Sequence, residues 1–127
     1  MDESHHLGDL QLAIMRILWS RDEASVADVH EALEPERGLA LTTIATMLAK
    51  LEKKGVVKHR AEGRRYIYRP TVSEGQVRRS MVSDLTSQLF RGDALALVNH
   101  LLSEHEIDAG ELSQLRQLIA AKEKEDR

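Results

Sequence analysis

The sequence predicts a mainly α-helical protein with one small β-hairpin. Three segments with helical hydrophobic periodicity precede a pair of short β-prone runs, and three more helical segments follow them. Aromatic residues make up 3% of the chain, so the core has to be built from aliphatic side chains, which favours packed helices over a β-sandwich. The 127 residues suffice for one compact domain with an appended module.

The first two helices are predicted to be short and amphipathic. Helix one is expected to start at Asp9, a candidate N-cap, and to end near residues 20–22. For helix two, Ser25 and Asp28 have the spacing of a reciprocal N-terminal cap. Pro35 is expected to end this helix, and residues 35–38 are predicted to form a connection.

The third helix has the clearest pattern. Residues 41–54 contain no Gly or Pro, and Gly55 stands where a left-handed helix terminator is expected. One side of this helix carries aliphatic residues, and the other carries hydroxyl residues near the start and lysines towards the end. Such a surface suits a helix that lies in a groove of DNA.

A β-hairpin over about residues 56–69 is predicted to follow. Two β-prone runs flank Glu62 and Gly63, and Pro70 ends the second run. Basic residues alternate with apolar and aromatic ones, so one face should be positive while the other packs. Three helices and a hairpin in this order are the layout of a winged helix-turn-helix domain, predicted here for residues 1–71.

Positive charge is concentrated in the third helix and the hairpin. The whole chain carries a net charge of −3, but residues 41–71 hold eight Lys or Arg against two Glu, a local charge of +6. Affinity for a duplex comes mainly from neutralised phosphates, so we expect a recognition helix at about 42–54 in the major groove and a wing at about 56–69 on the backbone or in the minor groove. The predicted DNA-contacting residues are Thr42, Thr43, Thr46, Lys50, Lys53, Lys54, Arg60, Arg64 and Arg65.

The C-terminal region, predicted for residues 72–127, contains three helical segments with apolar stripes. These stripes exceed what a small domain needs, so we expect a homodimer that places two recognition helices about 34 Å apart. The alternative is that the segments pack back onto their own winged domain. The predicted dimer contacts are Val77, Met81, Leu85, Leu89, Leu97, Leu101, Leu112, Leu115 and Ile119.

Other kinds of chemistry are not expected. The absence of cysteine excludes disulfides and thiolate metal sites. His5 and His6 are interpreted as part of a mobile N-terminus, and His100 and His105 as ordinary surface residues, so we expect no metal and no cofactor. The sequence has no catalytic Ser-His-Asp spacing and no glycine-rich phosphate loop, so an enzyme is not expected. It has neither a long apolar run nor a basic signal segment, so a cytoplasmic location is expected.

Several stretches carry a family resemblance. They are Leu-Gly-Asp-Leu at 7–10 leading to Ile-Leu-Trp at 17–19, Val-Ala-Asp-Val at 26–29, Thr-Thr-Ile-Ala-Thr-Met-Leu at 42–48 leading to Leu-Glu-Lys-Lys-Gly at 51–55, and Arg-Tyr-Ile-Tyr-Arg-Pro at 65–70. Together they resemble the penicillinase-repressor family (BlaI/MecI type) over essentially the whole chain. The resemblance implies a homodimeric repressor that binds a palindromic operator in double-stranded DNA, with the C-terminal helices forming the dimer contact.

The same resemblance implies a mode of release. A membrane sensor protease, or a peptidase downstream of it, leads to cutting of the repressor within its C-terminal part. In well-known relatives the cut falls at an Asn-Phe bond, whose nearest equivalent here is Asn99–His100; the His departs from the pattern.

Two other functions fit the same sequence. A winged-helix protein-interaction module would bind no DNA and would be monomeric in isolation. A nonspecific architectural DNA-binding protein would bind in a salt-dependent manner but without preferring any operator. Thr43 and Thr46 at the start of the third helix favour a specific site.

Overall fold

A computed structural model of the chain describes residues 7–104 and 106–127. The first six residues of the predicted domain 1–71, which include His5 and His6, lie outside the described residues, and so does His105. The described residues form, in order, α1 (Asp9–Arg21), β1 (Ala24–Ser25), α2 (Val26–Arg37), α3 (Leu41–Lys53), β2 (Val57–Glu62), β3 (Arg65–Pro70), α4 (Glu74–Phe90), α5 (Ala94–Ser103) and α6 (Ala109–Glu125). The predicted fold class, mainly α with a small β-hairpin, is confirmed. Within the described part of the chain, each helix is too short or too polar to cross a membrane.

The start and end of α1 follow from its flanking residues. Gly8 is the N-cap, and its carbonyl accepts a hydrogen bond from the Leu12 N–H (2.9 Å). Asp9 is therefore the first helical residue and not the cap that the sequence predicted. The helix ends at Arg21, within the predicted range, because Asp22 adopts a positive φ of 71°.

The predicted cap of α2 is confirmed. The Asp28 N–H donates to Ser25 Oγ (3.1 Å), and the Ser25 N–H donates to Asp28 Oδ2 (3.0 Å). The helix begins with this reciprocal cap, which satisfies two amides that would otherwise lack partners.

The predicted end of α2 is wrong. The helix runs through Pro35 to Arg37 and ends at Gly38, whose φ is 54° and whose N–H donates to the Glu34 carbonyl (3.0 Å). Pro35 removes one backbone donor, but this loss falls in the last turn of the helix, where only two more helical residues follow before glycine supplies the left-handed end.

The wing is one hairpin of a three-stranded antiparallel sheet with the order β1-β3-β2. The pairing of Glu62 with Arg65 leaves Gly63 and Arg64 as a two-residue loop. Gly63 takes a φ of +64° at the first loop position, where a type II′ turn needs glycine. The sequence did not predict β1, because two residues are too few for a periodic signal; this strand pairs with β3 and so fixes the wing beside the start of α2.

The chain divides into two compact units, one ending at Asp84 and one beginning at Leu85. The first unit continues past the predicted boundary at residue 71, because the Trp19 Nε1 donates to the Val72 carbonyl (2.8 Å) and the first part of α4 joins the core. The fully buried side chains of this core are Ile14, Met15, Leu18, Val29, Ile44, Leu48, Leu51, Val56, Val57 and Val77.

Val77 departs from its predicted role. This residue is only 1% exposed and belongs to the core of the first unit, so its side chain is not free to contact a second subunit. Met81, one turn further along α4, is partly buried against the same core. Spacing alone did not separate these two residues from the rest of the α4 stripe.

The second unit has little interior of its own. The predicted starts of its two later helices are confirmed: Asp93 caps α5, and Asp108 with Glu111 forms a capping box on α6. Neither α5 nor α6 contains a buried residue among those described. The large apolar side chains exposed in this unit are Leu85, Leu89, Leu95, Val98, Leu102, Leu118 and Ile119.

The α2 cap makes the stability of the first unit depend on pH. The pKa of Asp28 is lowered because the Ser25 backbone N–H donates to its carboxylate, with further contributions from the Ser25 side chain and the charges of Arg65 and Arg21. A carboxyl whose pKa is lower in the folded state than in the unfolded state stabilises the fold at pH values above its ordinary pKa of about 4. This stabilisation is lost as the pH falls through the folded-state pKa.

We therefore expect Asp28→Asn and Ser25→Ala each to lower the free energy of unfolding at pH 7 by about 1 kcal/mol. The loss of unfolding free energy caused by Asp28→Asn should become smaller as the pH falls below about 4. Urea unfolding at pH 7 and pH 3 would measure this change. Glu36→Gln, at an exposed position late in the same helix, is the control and should have no comparable effect. A deficit of Asp28→Asn that stays constant with pH would contradict this account.

Candidate nucleic-acid interface

Helix α3 presents a polar stripe because its other side is buried. Ile44, Leu48 and Leu51 have no exposed surface. The exposed residues on the opposite side include Thr42, Thr46, Lys50 and Lys53, which are four of the six positions predicted on this helix to contact DNA. At about 100° of rotation per residue, Thr42, Thr46 and Lys53 lie within about 40° of one another around the helix axis. Thr43 lies at the edge of the stripe and is half-buried.

The start of α3 is open to an anion. The N-cap residue is Ala40, which has no side-chain oxygen to accept from the first amides, and Leu41 beside it is 49% exposed. The positive end of the helix dipole therefore adjoins the threonines of the stripe.

Lys54, the last predicted position on this helix, has a different role. Its Nζ donates to Gln11 Oε1 on α1 (2.7 Å). The ammonium group thus ties the end of α3 to α1, a contact between residues 43 positions apart that sequence spacing does not reveal.

One face of the wing is turned towards α3. His59 and Tyr68 are register partners on this face, and Tyr68 is only 4% exposed. The His59 Nδ1 lies 2.7 and 2.8 Å from the two carboxylate oxygens of Glu52 near the end of α3. Burial raises the pKa of Tyr68, and the nearby Glu52 carboxylate raises it further.

The opposite face of the wing carries Lys58, Arg60 and Arg69, but Arg60 is occupied within the protein. Its guanidinium donates to both carboxylate oxygens of Glu23 (2.6 and 3.1 Å) and to Glu62 (3.1 Å). The hydrogen bonds from Arg60 lower the pKa of Glu23, and the two carboxylates raise the pKa of Arg60. The prediction that Arg60 contacts DNA therefore conflicts with two intramolecular ion pairs that such a contact would have to replace.

The wing tip meets the starts of two helices. A cavity of about 300 Å³ is lined by the N-cap residue Ser25, by Val26 and Ala27 of α2, by Leu41 of α3, and by Arg64, Arg65 and Tyr66 of the wing. Two predicted DNA-contacting arginines thus lie on the same side of the first unit as the uncapped start of α3. Cationic groups and helix N-termini together favour a polyanion at this surface.

The predicted cleavage residues lie inside a helix. Asn99 and His100 are exposed residues of α5, and the His100 ring packs edge-on against Phe90 at a centroid distance of 5.9 Å. A protease that binds an extended peptide would first have to unwind this part of α5. Within the described residues, no group of three or more His, Asp or Glu could hold a metal ion.

Sequence reasoning missed the contacts that shape this surface. The hydrogen bond between Glu52 and His59 and the ion pair of Glu23 with Arg60 depend on how the sheet is placed against the helices. The alternation of residues in the wing predicts that Tyr66 lies on the packing face, but its side chain is 51% exposed. Its alternation with Tyr68 was visible in the sequence, but nothing there indicated that one ring is buried and the other open.

The chain is similar to known repressors in sequence and in fold. The family model of the penicillinase repressors matches residues 7–121. The transcriptional regulator BlaI of Mycobacterium tuberculosis is 35% identical over 116 residues, which cover 90% of this chain and 83% of that protein. The solution structure of the DNA-binding domain of the repressor BlaI is 30% identical, with a TM-score of 0.53, and the match covers 60% of this chain and 93% of that domain.

A second solution structure shows monomeric BlaI of Bacillus licheniformis in complex with the blaP half-operator. It is also 30% identical and matches with a TM-score of 0.50, over 60% of this chain and 93% of that one.

The two kinds of arginine in the wing should behave differently. Arg60→Gln and Arg64→Gln each remove one positive charge from the same hairpin, so both change the long-range field by a similar amount. We expect Arg64→Gln to lower the slope of log affinity for DNA against log salt by about one, since a phosphate contact is lost. Arg60→Gln should leave the slope nearly unchanged.

Fluorescence anisotropy with a labelled duplex at several salt concentrations measures both slopes. Thermal unfolding of each variant provides the control for folding. An equal loss of slope in both variants would show that the ion pairs of Arg60 do not keep it from DNA.

Proposed function

This chain belongs to the penicillinase-repressor family of DNA-binding transcriptional repressors, and we propose that it acts as a homodimer on a palindromic operator. Helix α3 lies in the major groove of each half-site, and the wing tip contacts the adjacent backbone or minor groove. The protein works in the cytoplasm, where its DNA is found.

The observation that carries this proposal is the division of α3 into a buried side and an exposed stripe. Thr42 and Thr46 offer hydroxyls and methyls that suit base edges or phosphates, while Lys50 and Lys53 suit the flanking backbone. Arg64 and Arg65 extend the same surface at the wing tip. The complex of BlaI with the blaP half-operator supports DNA as the partner of this fold.

The C-terminal unit supplies the second half of the proposal. Its apolar side chains include Leu89, which is 70% exposed, and α5 and α6 bury no residue in the single chain. Several large apolar side chains left exposed in one unit favour an association surface. A twofold pairing of these helices would bury it, and would set two copies of α3 about one turn of DNA apart.

We further propose release by proteolysis, for which α5 would first have to unwind around the cut. A cut between Asn99 and His100, made by a membrane sensor protease or by a peptidase downstream of it, would separate the end of α5 and all of α6 from the rest of the chain. The remaining piece would lose part of the proposed dimer surface and would hold its operator less tightly.

Selection from a random pool of 30-base-pair duplexes by the full chain tests DNA recognition. We expect enrichment of a two-part palindrome whose affinity falls steeply with salt. Lys50→Ala should lower the salt slope by about one, whereas Lys122→Ala on α6 should not. Recovery of no preferred sequence, despite salt-dependent binding, would instead indicate an architectural DNA-binding protein.

Dimerisation is tested by light scattering of the full chain. The chain mass is 14.3 kDa, so the wild type should scatter at twice that value. Leu89→Asp should give a monomer and weaken binding to the full palindrome, because a charge at a buried apolar contact is strongly unfavourable. Gln88→Asp, at the exposed neighbouring position, is the control and should remain a dimer. A monomeric wild type would contradict this part of the proposal.

A further inference from the structure

Tyr66 is an exposed aromatic residue that the family resemblance leaves without a role. It shares the sheet face of His59 and Tyr68, which is the face turned towards α3. Its neighbour Tyr68 is enclosed in the core, but Tyr66 is 51% exposed and lines the cavity that also contains Arg64 and Arg65. The ring therefore lies between the recognition helix and the wing tip.

The Tyr66 ring is held in place through a relay from α3. Its centroid lies 4.2 Å from that of His59, with the two planes at 27°, which is a stacked arrangement. His59 is fixed in turn by Glu52, whose carboxylate is an acceptor only, so the His59 Nδ1 carries the hydrogen and donates. Glu52 belongs to α3, so these two contacts link the Tyr66 ring to the recognition helix.

On this basis we propose that Tyr66 is a further DNA-contacting residue, whose hydroxyl donates to a backbone phosphate between the groove that holds α3 and the wing tip. His59 and Glu52 are its positioning residues. Within the described part of the chain, the Tyr66 hydroxyl has no hydrogen bond that would compete with a phosphate. The inference rests on the proposed function and names one more contact of the same surface.

The chemistry of the contact distinguishes it from those of the lysines and arginines. A neutral hydroxyl that donates to a phosphate adds a hydrogen bond but neutralises no charge, so it does not add to counterion release. A phosphate contact is also indifferent to base sequence. Tyr66 should therefore contribute equally to affinity for specific and unrelated duplexes, without changing the salt slope.

The first experiment uses the full chain and two probes, a duplex selected by the wild type from the random pool and a mixed-sequence duplex of the same length. Tyr66→Phe keeps the ring and removes only the hydroxyl. We expect affinity for both probes to fall about three- to tenfold with an unchanged salt slope. Unchanged affinity, or a loss confined to the selected duplex, would overturn the phosphate contact. If the wild type binds neither probe, the proposed function itself fails.

The second experiment tests the positioning residues with a charge-matched pair. Glu52→Gln and Glu52→Ala remove the same negative charge, but only the glutamine retains an oxygen that can accept from His59. The loss of DNA affinity caused by Tyr66→Phe should persist in the Glu52→Gln background. The same substitution should cause no further loss in the Glu52→Ala or His59→Ala background. Equal penalties in all backgrounds would overturn the relay, since a residue that only stabilised the fold would not change this coupling.

Discussion

Burial of the apolar side of α3 is the constraint from which the proposed DNA surface follows. Ile44, Leu48 and Leu51 are wholly enclosed, and enclosing each such side chain contributes about 1.5–3 kcal/mol. Turning the helix to hide its lysines would expose these groups to water and bury unpaired charges at the same time. Burial of the apolar side of α3 therefore requires Lys50 and Lys53 to face solvent.

The sheet transmits this constraint to the wing. Strand β1 pairs with β3 and joins the start of α2 to the hairpin, while the hydrogen bond between Glu52 and His59 joins the end of α3 to β2. The wing tip is thereby fixed against two helix starts. Its cations also differ in availability, since Arg60 is neutralised by two carboxylates, while Arg64 and Arg65 line the open cavity. Not all eight basic residues of positions 41–71 are therefore equally available to a phosphate.

Much of this could be predicted from the sequence, because the controlling signals are local. Helix periodicity, the Ser25–Asp28 and Asp108–Glu111 caps and the glycine at position 55 depend on neighbouring residues only. The two-residue strand β1 and the core position of Val77 depend on distant partners, so spacing could not reveal them. The prediction that Pro35 ends α2 was wrong because the proline lies in the last turn, where the loss of one backbone donor does not stop the helix.

The central claim is that the exposed stripe of α3 and the wing tip, rather than the C-terminal helices, meet DNA. Chemical-shift mapping of backbone amides in the isotope-labelled full chain, titrated with a selected duplex, tests it most directly. We expect the largest changes in residues 41–54 and 62–66 and at the start of α2. Changes concentrated in α5 and α6, with α3 unaffected, would contradict it.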